Sequence, residues 1–193
     1  MIDESNGYDS IAETYIKGRG RAVNGIGAST ARTWARNFTA GSVILDLGCG
    51  TGIPVTKILV DAGLSAYAVD ASPKMVKDFR QHFPNVPVAC ESVERSHFFD
   101  RRFDGIISVG LMFLLSEDVQ RTLIPKMAAA LNPGGRLLFT APFDIVEWND
   151  AMTDKPSRSL GAERYRALMS ASGLSIMDEL RDEGGNHYFS GIR

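Results

Sequence analysis

The sequence has few cysteines and no excess of charge of either sign. Its 193 residues include two cysteines, Cys49 and Cys90, with no C-x-x-C spacing and no histidine cluster. A disulfide framework and a zinc site are therefore excluded, and we expect two reduced thiols, no bound metal and a cytoplasmic protein.

The 21 basic and 23 acidic side chains give a formal net charge of -2. This balance disfavours nucleic acid as a partner.

Long apolar runs are also missing. The longest apolar stretch, residues 106–115, is far shorter than the roughly 18 residues that a membrane span needs. The first residues are polar and acidic, unlike a secretory signal. We therefore expect a soluble protein without membrane contact. The length favours one domain, residues 1–193, and leaves the oligomeric state open.

Apolar runs alternate with amphipathic stretches through the middle of the chain. Five of these runs are predicted strands: residues 43–47, 65–69, 86–90, 103–109 and 136–141. Strands alternating with helices indicate a mostly parallel sheet that is covered on both faces. Two late strands joined by a turn, residues 175–180 and 187–192, indicate an antiparallel addition at one edge. The predicted fold is a single-domain α/β, Rossmann-like three-layer sandwich with seven strands.

The first predicted strand passes directly into a glycine-rich turn. Residues 43–47 include Asp46 and are followed by Gly48, Gly50 and Gly52 at alternate positions. In the dinucleotide fingerprint G-x-G-x-x-G the third glycine comes later, and Ile53 occupies that place here. The turn therefore predicts a nucleoside-bearing ligand that is held without the usual pyrophosphate contact.

Polar residues end the neighbouring strands. Asp70 follows the glycine turn by about 20 residues, the spacing at which a carboxylate reaches ribose hydroxyls. Ligands of such sheets bind outside the carboxyl ends of the strands, where the strand order reverses. We therefore assign Asp70 to a ribose rather than to helix capping alone. Glu91 ends the third strand and is either a contact at the adenine side or a solvated residue.

These motifs, in this order, resemble those of the class I S-adenosylmethionine-dependent methyltransferases of the small-molecule type. The similarity lies in VILDLGCGTG, YAVDASPKM, RRFDGIISV and LNPGGRLLF, and YDSIAETY resembles the N-terminal helix of that branch. The resemblance implies S-adenosyl-L-methionine as cofactor and methyl transfer to a small-molecule acceptor by in-line displacement. It also implies the cofactor-binding residues, which are Tyr8, Tyr15, Arg19, Asp46, Gly48, Cys49, Gly50, Asp70, Ala71, Glu91, Ser92 and Val109.

Two further segments are predicted to cover or border the site. Residues 1–40 are predicted to form a helical lid. The hydrophobic period is lost in residues 142–161, which are predicted to form a substrate-side loop. Within that loop, Phe143 and Trp148 either build an apolar acceptor pocket or anchor the loop.

Methyl transfer requires a base only if the acceptor must lose a proton, so a catalytic residue is not demanded by the chemistry. The candidates are His187 and Tyr15. His187 opens the last predicted strand, where it either reaches the acceptor or is an edge-strand histidine without catalytic duty.

Other functions stay open at this stage. One is a non-catalytic cofactor-binding protein that acts through a partner. A protein or RNA methyltransferase is disfavoured because no basic tail is present and because residues 109–112 are VGLM rather than an Asn-Pro-Pro-Tyr-like element. An NAD-dependent reductase is disfavoured by the position of Gly52 and by the absence of a tyrosine followed four residues later by lysine.

Overall fold

A computed structural model describes residues 3–177 and 179–193 as a large sheet flanked by helices, with a separate two-stranded hairpin. The strands are β1 Val43–Leu47, β2 Ser65–Asp70, β3 Val88–Cys90, β4 Phe103–Ser108, β5 Leu131–Thr140, β6 Ile145–Asn149, β7 Pro156–Leu160, β8 Ser175–Ile176, β9 Leu180–Arg181 and β10 His187–Ile192. The helices are α1 Ala12–Lys17, α2 Ala28–Ala35, α3 Val55–Asp61, α4 Pro73–His82, α5 Glu117–Ala130 and α6 Ala162–Ala171.

The large sheet has the order β3-β2-β1-β4-β5-β10-β8, and β9 also pairs with β10. Strands β1 to β5 pair in parallel, whereas β10 is antiparallel to its neighbours β5, β8 and β9. The predicted α/β class with a mostly parallel sheet is confirmed. Because the chain runs outward from β1 to β3 and then returns to β4, the strand order reverses between β1 and β4. Ligands of open α/β sheets bind at this reversal.

Both faces of the sheet are buried, which explains the continuous apolar runs. Ile44 and Leu45 are neighbours in β1 and point to opposite faces, yet neither is exposed. Ile44 belongs to a core cluster with Trp34 of α2 and Leu59 of α3. Leu45 belongs to another cluster, with Leu123 of α5. Two helical layers therefore fix the sheet between them.

The segment predicted as an irregular loop, residues 142–161, is instead the hairpin of β6 and β7. Ile145 pairs with Leu160 and Asn149 with Pro156. Hydrophobic periodicity did not indicate these strands, because the buried positions of β7 include serines, Ser157 among them. The prediction of a loop was wrong.

Two smaller differences concern the end of the chain and α5. The strand predicted at 175–180 is divided into β8 and β9, so the sheet has eight strands; residue 178, within that prediction, lies outside the described residues. Pro125 predicts a kink in this stretch or two shorter helices, whereas α5 continues through it as one element of 14 residues. Within the described part of the chain, no helix is both long and apolar enough to cross a bilayer.

A buried polar network joins α5 and α6 to the β6–β7 hairpin. The hydroxyl of Tyr165 donates to Gln120 Oε1 at 2.5 Å and accepts the N–H of Leu160 at 3.1 Å. Gln120 Nε2 donates to the carbonyls of Leu115 and Arg158 at 2.9 and 3.1 Å. Tyr165 and Gln120 are fully buried, so each bond satisfies a group that water does not reach.

Replacing Tyr165 by phenylalanine should therefore destabilise the fold. Tyr165→Phe leaves the Leu160 N–H and the Gln120 carbonyl without this partner, which costs about 1–3 kcal/mol. Urea denaturation measures the loss. Thr122→Val is the control, because it removes a hydroxyl that is exposed on α5 and should change stability by less than about 0.5 kcal/mol. Equal midpoints for the two variants would contradict this account.

Candidate functional site

The turn between β1 and α3 needs glycine for conformation and for space. Gly48, Gly50 and Gly52 have φ values of +73°, +55° and +82°, a region that L side chains rarely adopt. A Cβ atom on Gly52 would also lie 2.5 Å from Cε2 of Phe83. The alternate spacing of the three glycines therefore reflects three left-handed positions within one tight turn.

Asp70, the last residue of β2, holds this turn against its own strand. Its Oδ2 accepts the N–H of Gly50 and its Oδ1 accepts the N–H of Ser72, both at 2.8 Å. Burial raises the pKa of Asp70, and the two N–H donors oppose that shift. Each carboxylate oxygen can accept more than one hydrogen bond, so Asp70 can also bind hydroxyl groups from the cleft that it lines.

Asp46 lies beneath the same turn and is 1% exposed. Its Oδ2 accepts a hydrogen bond from Thr56 Oγ1, in α3, at 2.6 Å. Burial raises the pKa of Asp46 to about 7, although the bond from Thr56 acts in the opposite direction. A carboxyl group that titrates near neutral pH therefore lies at the reversal of the strand order.

A cleft of about 460 Å³ lies at the carboxyl ends of β1, β2 and β4. This volume falls within the range of roughly 300–1,000 Å³ that is usual for small-molecule sites. Nine of the predicted site residues line it: Tyr8, Tyr15, Arg19, Gly48, Gly50, Asp70, Ala71, Ser92 and Val109. The structure thus brings together residues from the N-terminal segment and from the ends of β1 to β4.

A second cavity, of about 340 Å³, adjoins this cleft. The two share the lining residues Tyr15, Arg19, Gly48, Val109, Gly110 and Phe113. Asp46 and Cys49 line the second cavity rather than the cleft, and burial raises the pKa of Cys49 above its ordinary value. The predicted site is therefore divided between two spaces that meet at the end of β4.

The structure does not bring Glu91 or His187 to either cavity. Glu91 is half-buried, directly follows the edge strand β3 and lines neither cavity. His187 Nε2 lies 2.7 Å from Glu179 Oε2, and its ring packs against Phe143 and Phe189. A catalytic role for His187 is not supported by this position, because the ring is paired and enclosed away from the cleft.

The N-terminal segment is fastened to α4 at two points. Asp9 Oδ1 accepts hydrogen bonds from Ser72 Oγ at 2.7 Å and from the N–H of Lys74 at 3.0 Å. Arg21 forms a bidentate ion pair with Asp78, with both distances at 2.8 Å. These contacts place the stretch between residues 9 and 21, which includes α1, against the cleft.

Sequence reasoning missed several lining residues. Phe113 lines both cavities, and its ring centroid lies 5.6 Å from that of Trp148 in β6. Asp150 lines the cleft and accepts a hydrogen bond from Tyr8 Oη at 3.3 Å. Neither contact leaves a local signal, since the partners are far apart in sequence. Trp148 lines neither cavity itself but packs against Phe113, which does.

Residues 44–135 match the profile of a family described as a methyltransferase domain. The match spans the glycine turn, Asp70 and the end of β4. This part of the chain, a little under half of its length, is therefore similar to a methyltransferase domain, and the resemblance predicted from the motifs is confirmed. S-adenosylmethionine, the cofactor predicted from the sequence, is the methyl donor of this family.

Several curated proteins are similar to this chain. It is 26% identical to the carboxy-S-adenosyl-L-methionine synthase of Actinobacillus succinogenes, over 89% of this chain and 69% of that protein. It is also 26% identical to the tRNA U34 carboxymethyltransferase of Campylobacter curvus, over 62% of this chain and 41% of that protein. The chain thus spans about two fifths of the length of the first curated relatives it matches.

The fold of the chain is also seen in solved structures. Magnesium protoporphyrin IX methyltransferase from Synechocystis, with bound S-adenosylmethionine, superimposes with a TM-score of 0.70 at 15% identity. The match covers 100% of this chain and 98% of that one. The predicted Rossmann-like fold is therefore confirmed. The expected absence of a nucleic-acid partner stays a prediction, since several relatives are named for tRNA.

Asp46 should make the ligand-free protein less stable as the pH rises. Its pKa is about 7 in the folded protein and near its ordinary value of 3.8 when unfolded, so the folded state binds more protons between these values. The free energy of unfolding therefore falls with rising pH in this window. From about pH 5.5 to about pH 8, the wild-type protein should lose about 2 kcal/mol more than Asp46→Asn does.

Urea denaturation of both proteins at the two pH values measures this difference. Other titrating groups are common to both proteins and cancel in the comparison. Parallel pH dependence in the wild type and the variant would show that Asp46 does not titrate in this range.

Proposed function

We propose that this chain binds S-adenosylmethionine in the cleft and transfers its methyl group to a small-molecule acceptor. The observation that carries the proposal is the Asp70 carboxylate, held by two backbone N–H groups at the carboxyl end of β2 while it lines the cleft. A carboxylate in this position pairs with the two hydroxyls of a ribose. It also repels a 2′-phosphate.

The remaining predicted residues supply the rest of a nucleoside site. Ala71 and Ser92 line the cleft beyond Asp70 and would lie beside the adenine. The turn at Gly48 would pack against the methionine part, and Val109 would lie near the sulfonium. Glu91, predicted at the adenine edge, has no part in this arrangement because it does not line the cleft.

The N-terminal segment acts as a lid over this site in our proposal. Tyr8 and Tyr15 pack edge to face with ring centroids 5.8 Å apart, and both line the cleft with Arg19. The hydrogen bond from Tyr8 to Asp150 joins the lid to the end of the β6–β7 hairpin. Closure across the cleft excludes water and positions the reactants, which supplies much of the rate of an in-line displacement.

Neither of the predicted catalytic candidates acts as a general base in this proposal. Burial, followed by the nearby Asp70 carboxylate, raises the pKa of Tyr15, so its phenol stays protonated at neutral pH. His187 lies outside both cavities. We therefore propose that Tyr15 orients groups in the site as a hydrogen-bond donor, and that the acceptor attacks without losing its proton to either side chain.

A small molecule fits the charges around the cleft better than RNA does. Five acidic residues line it, namely Asp3, Glu4, Asp70, Glu94 and Asp150, whereas Arg19 is its basic lining residue among the residues that the structure describes. A phosphate backbone needs clustered lysine or arginine to replace its counterions. The acidic lining therefore favours a small acceptor, although the tRNA-named relatives share part of this fold.

Calorimetry tests the cofactor assignment directly. We expect the full chain to bind S-adenosylmethionine and S-adenosylhomocysteine and to show no heat with NAD, because the turn lacks the third glycine of the dinucleotide fingerprint. Conversion of labelled S-adenosylmethionine with pooled metabolites then reports the transfer. Binding of NAD in preference to S-adenosylhomocysteine would overturn the proposal.

Asp70→Asn should weaken binding of S-adenosylhomocysteine by roughly 10- to 150-fold, because a charged hydrogen-bond partner of the ribose is worth about 1.5–3 kcal/mol. The matched control is Asp61→Asn, whose carboxylate is exposed and pairs with Lys57 on the surface of α3; its affinity should equal that of the wild type. Calorimetry gives both dissociation constants.

A 2′,3′-dideoxy analogue separates the ribose contact from a disturbance of the turn. Wild type should prefer S-adenosylhomocysteine to this analogue, and Asp70→Asn should bind the two about equally. If the variant keeps the full preference of the wild type, Asp70 does not bind the ribose.

A further inference from the structure

The second cavity continues from the cleft on the side away from the proposed adenine site. It lies above the carboxyl ends of β1, β4 and β5, where Asp46, Val109 and Thr140 line it. Because Val109 also lines the cleft, the two spaces meet where the sulfonium of the cofactor would lie. A molecule in the second cavity would therefore reach the methyl group.

The charges in this cavity are few and of opposite sign. Arg19 and Asp46 are its charged lining residues in the part of the chain that the structure describes. The methionine part of the cofactor carries an ammonium and a carboxylate, and the glycine turn beside Asp46 is where this part would lie. Arg19 and Asp46 can therefore pair with the cofactor itself, and no charged side chain of the cavity is left for an acceptor.

Apart from Arg19 and Asp46, the walls of the second cavity are mainly apolar. The apolar lining residues include Ile26, Pro54, Val55 and Phe113. Ile26 and Asn186 both line the cavity, and both are exposed, so they lie at its mouth. An apolar wall favours apolar surface on the acceptor.

One buried hydroxyl lies among these walls. Thr140 is 3% exposed, and its Oγ1 accepts the N–H of Gly110 at 2.7 Å. Since its oxygen is the acceptor in that bond, the hydroxyl hydrogen can donate to a ligand. The cavity thus offers a neutral donor to an oxygen or nitrogen atom of its occupant.

We infer that the second cavity binds the methyl acceptor, and that the acceptor is a small, uncharged, ring-sized molecule with one polar atom. This inference rests on the proposed function. An apolar cavity of about 150 Å³ is large enough for benzene, so the cavity of about 340 Å³ can hold a ring beside the tail of the cofactor. A nucleotide does not fit, because its phosphate would lack a basic partner.

Phenol, with S-adenosylhomocysteine present, is a suitable probe of this site. Saturation-transfer NMR on the full chain should detect phenol bound to the wild-type protein. Ile26→Trp should fill the mouth of the cavity and weaken phenol binding at least about tenfold. Calorimetry should give the same affinity for S-adenosylhomocysteine as in the wild type, because Ile26 lies at the exposed mouth of the cavity, whereas the tail of the cofactor would lie at the glycine turn.

Val23→Trp is the matched control. Val23 and Ile26 both precede helix α2 and are similarly exposed, at 43% and 50%. Val23 does not line the second cavity. This variant should bind both phenol and S-adenosylhomocysteine as the wild type does. Uridine 5′-monophosphate, the anionic comparison probe, should not displace phenol.

Two results would overturn the inference and leave the proposed function intact. One is normal binding of S-adenosylhomocysteine with phenol binding that is absent in the wild type or equal in Ile26→Trp. The other is displacement of phenol by uridine 5′-monophosphate, which would indicate a nucleotide acceptor. Failure of the wild type to bind S-adenosylhomocysteine at all would instead refute the proposed function, and the acceptor assignment with it.

Discussion

The hydrogen bond from the N–H of Gly50 to Asp70 is the constraint on which the site depends. It joins the turn after β1 to the end of β2, the strand that pairs with β1 in register, with Leu47 opposite Val69. The glycines make the turn tight enough to bring that N–H within reach. The same carboxylate then faces the cleft, so one residue both fixes the turn and offers oxygen atoms to a ligand.

The N-terminal segment completes the site from a distance in sequence. Asp9 caps the start of α4 together with Ser72, whose own N–H binds Asp70. The lid, the helix and the ribose-binding position of our proposal are thus linked through adjacent residues.

The features that were predicted correctly are those encoded within short stretches of sequence. An apolar run, a glycine turn and an acid at the next strand end suffice to place Gly48 and Asp70 at one edge of a parallel sheet. Phe113 and the Tyr8–Asp150 bond depend on packing between distant segments. The strand position of His187 is likewise visible in the sequence, whereas its pairing with Glu179 is not.

A crystal structure of the full chain with S-adenosylhomocysteine tests the central claim most directly. Our account predicts both ribose hydroxyls within hydrogen-bond distance of the Asp70 carboxylate, with the adenine beside Ala71 and the sulfur near Val109. A nucleoside bound elsewhere, or a ribose in the cleft that does not contact Asp70, would contradict it.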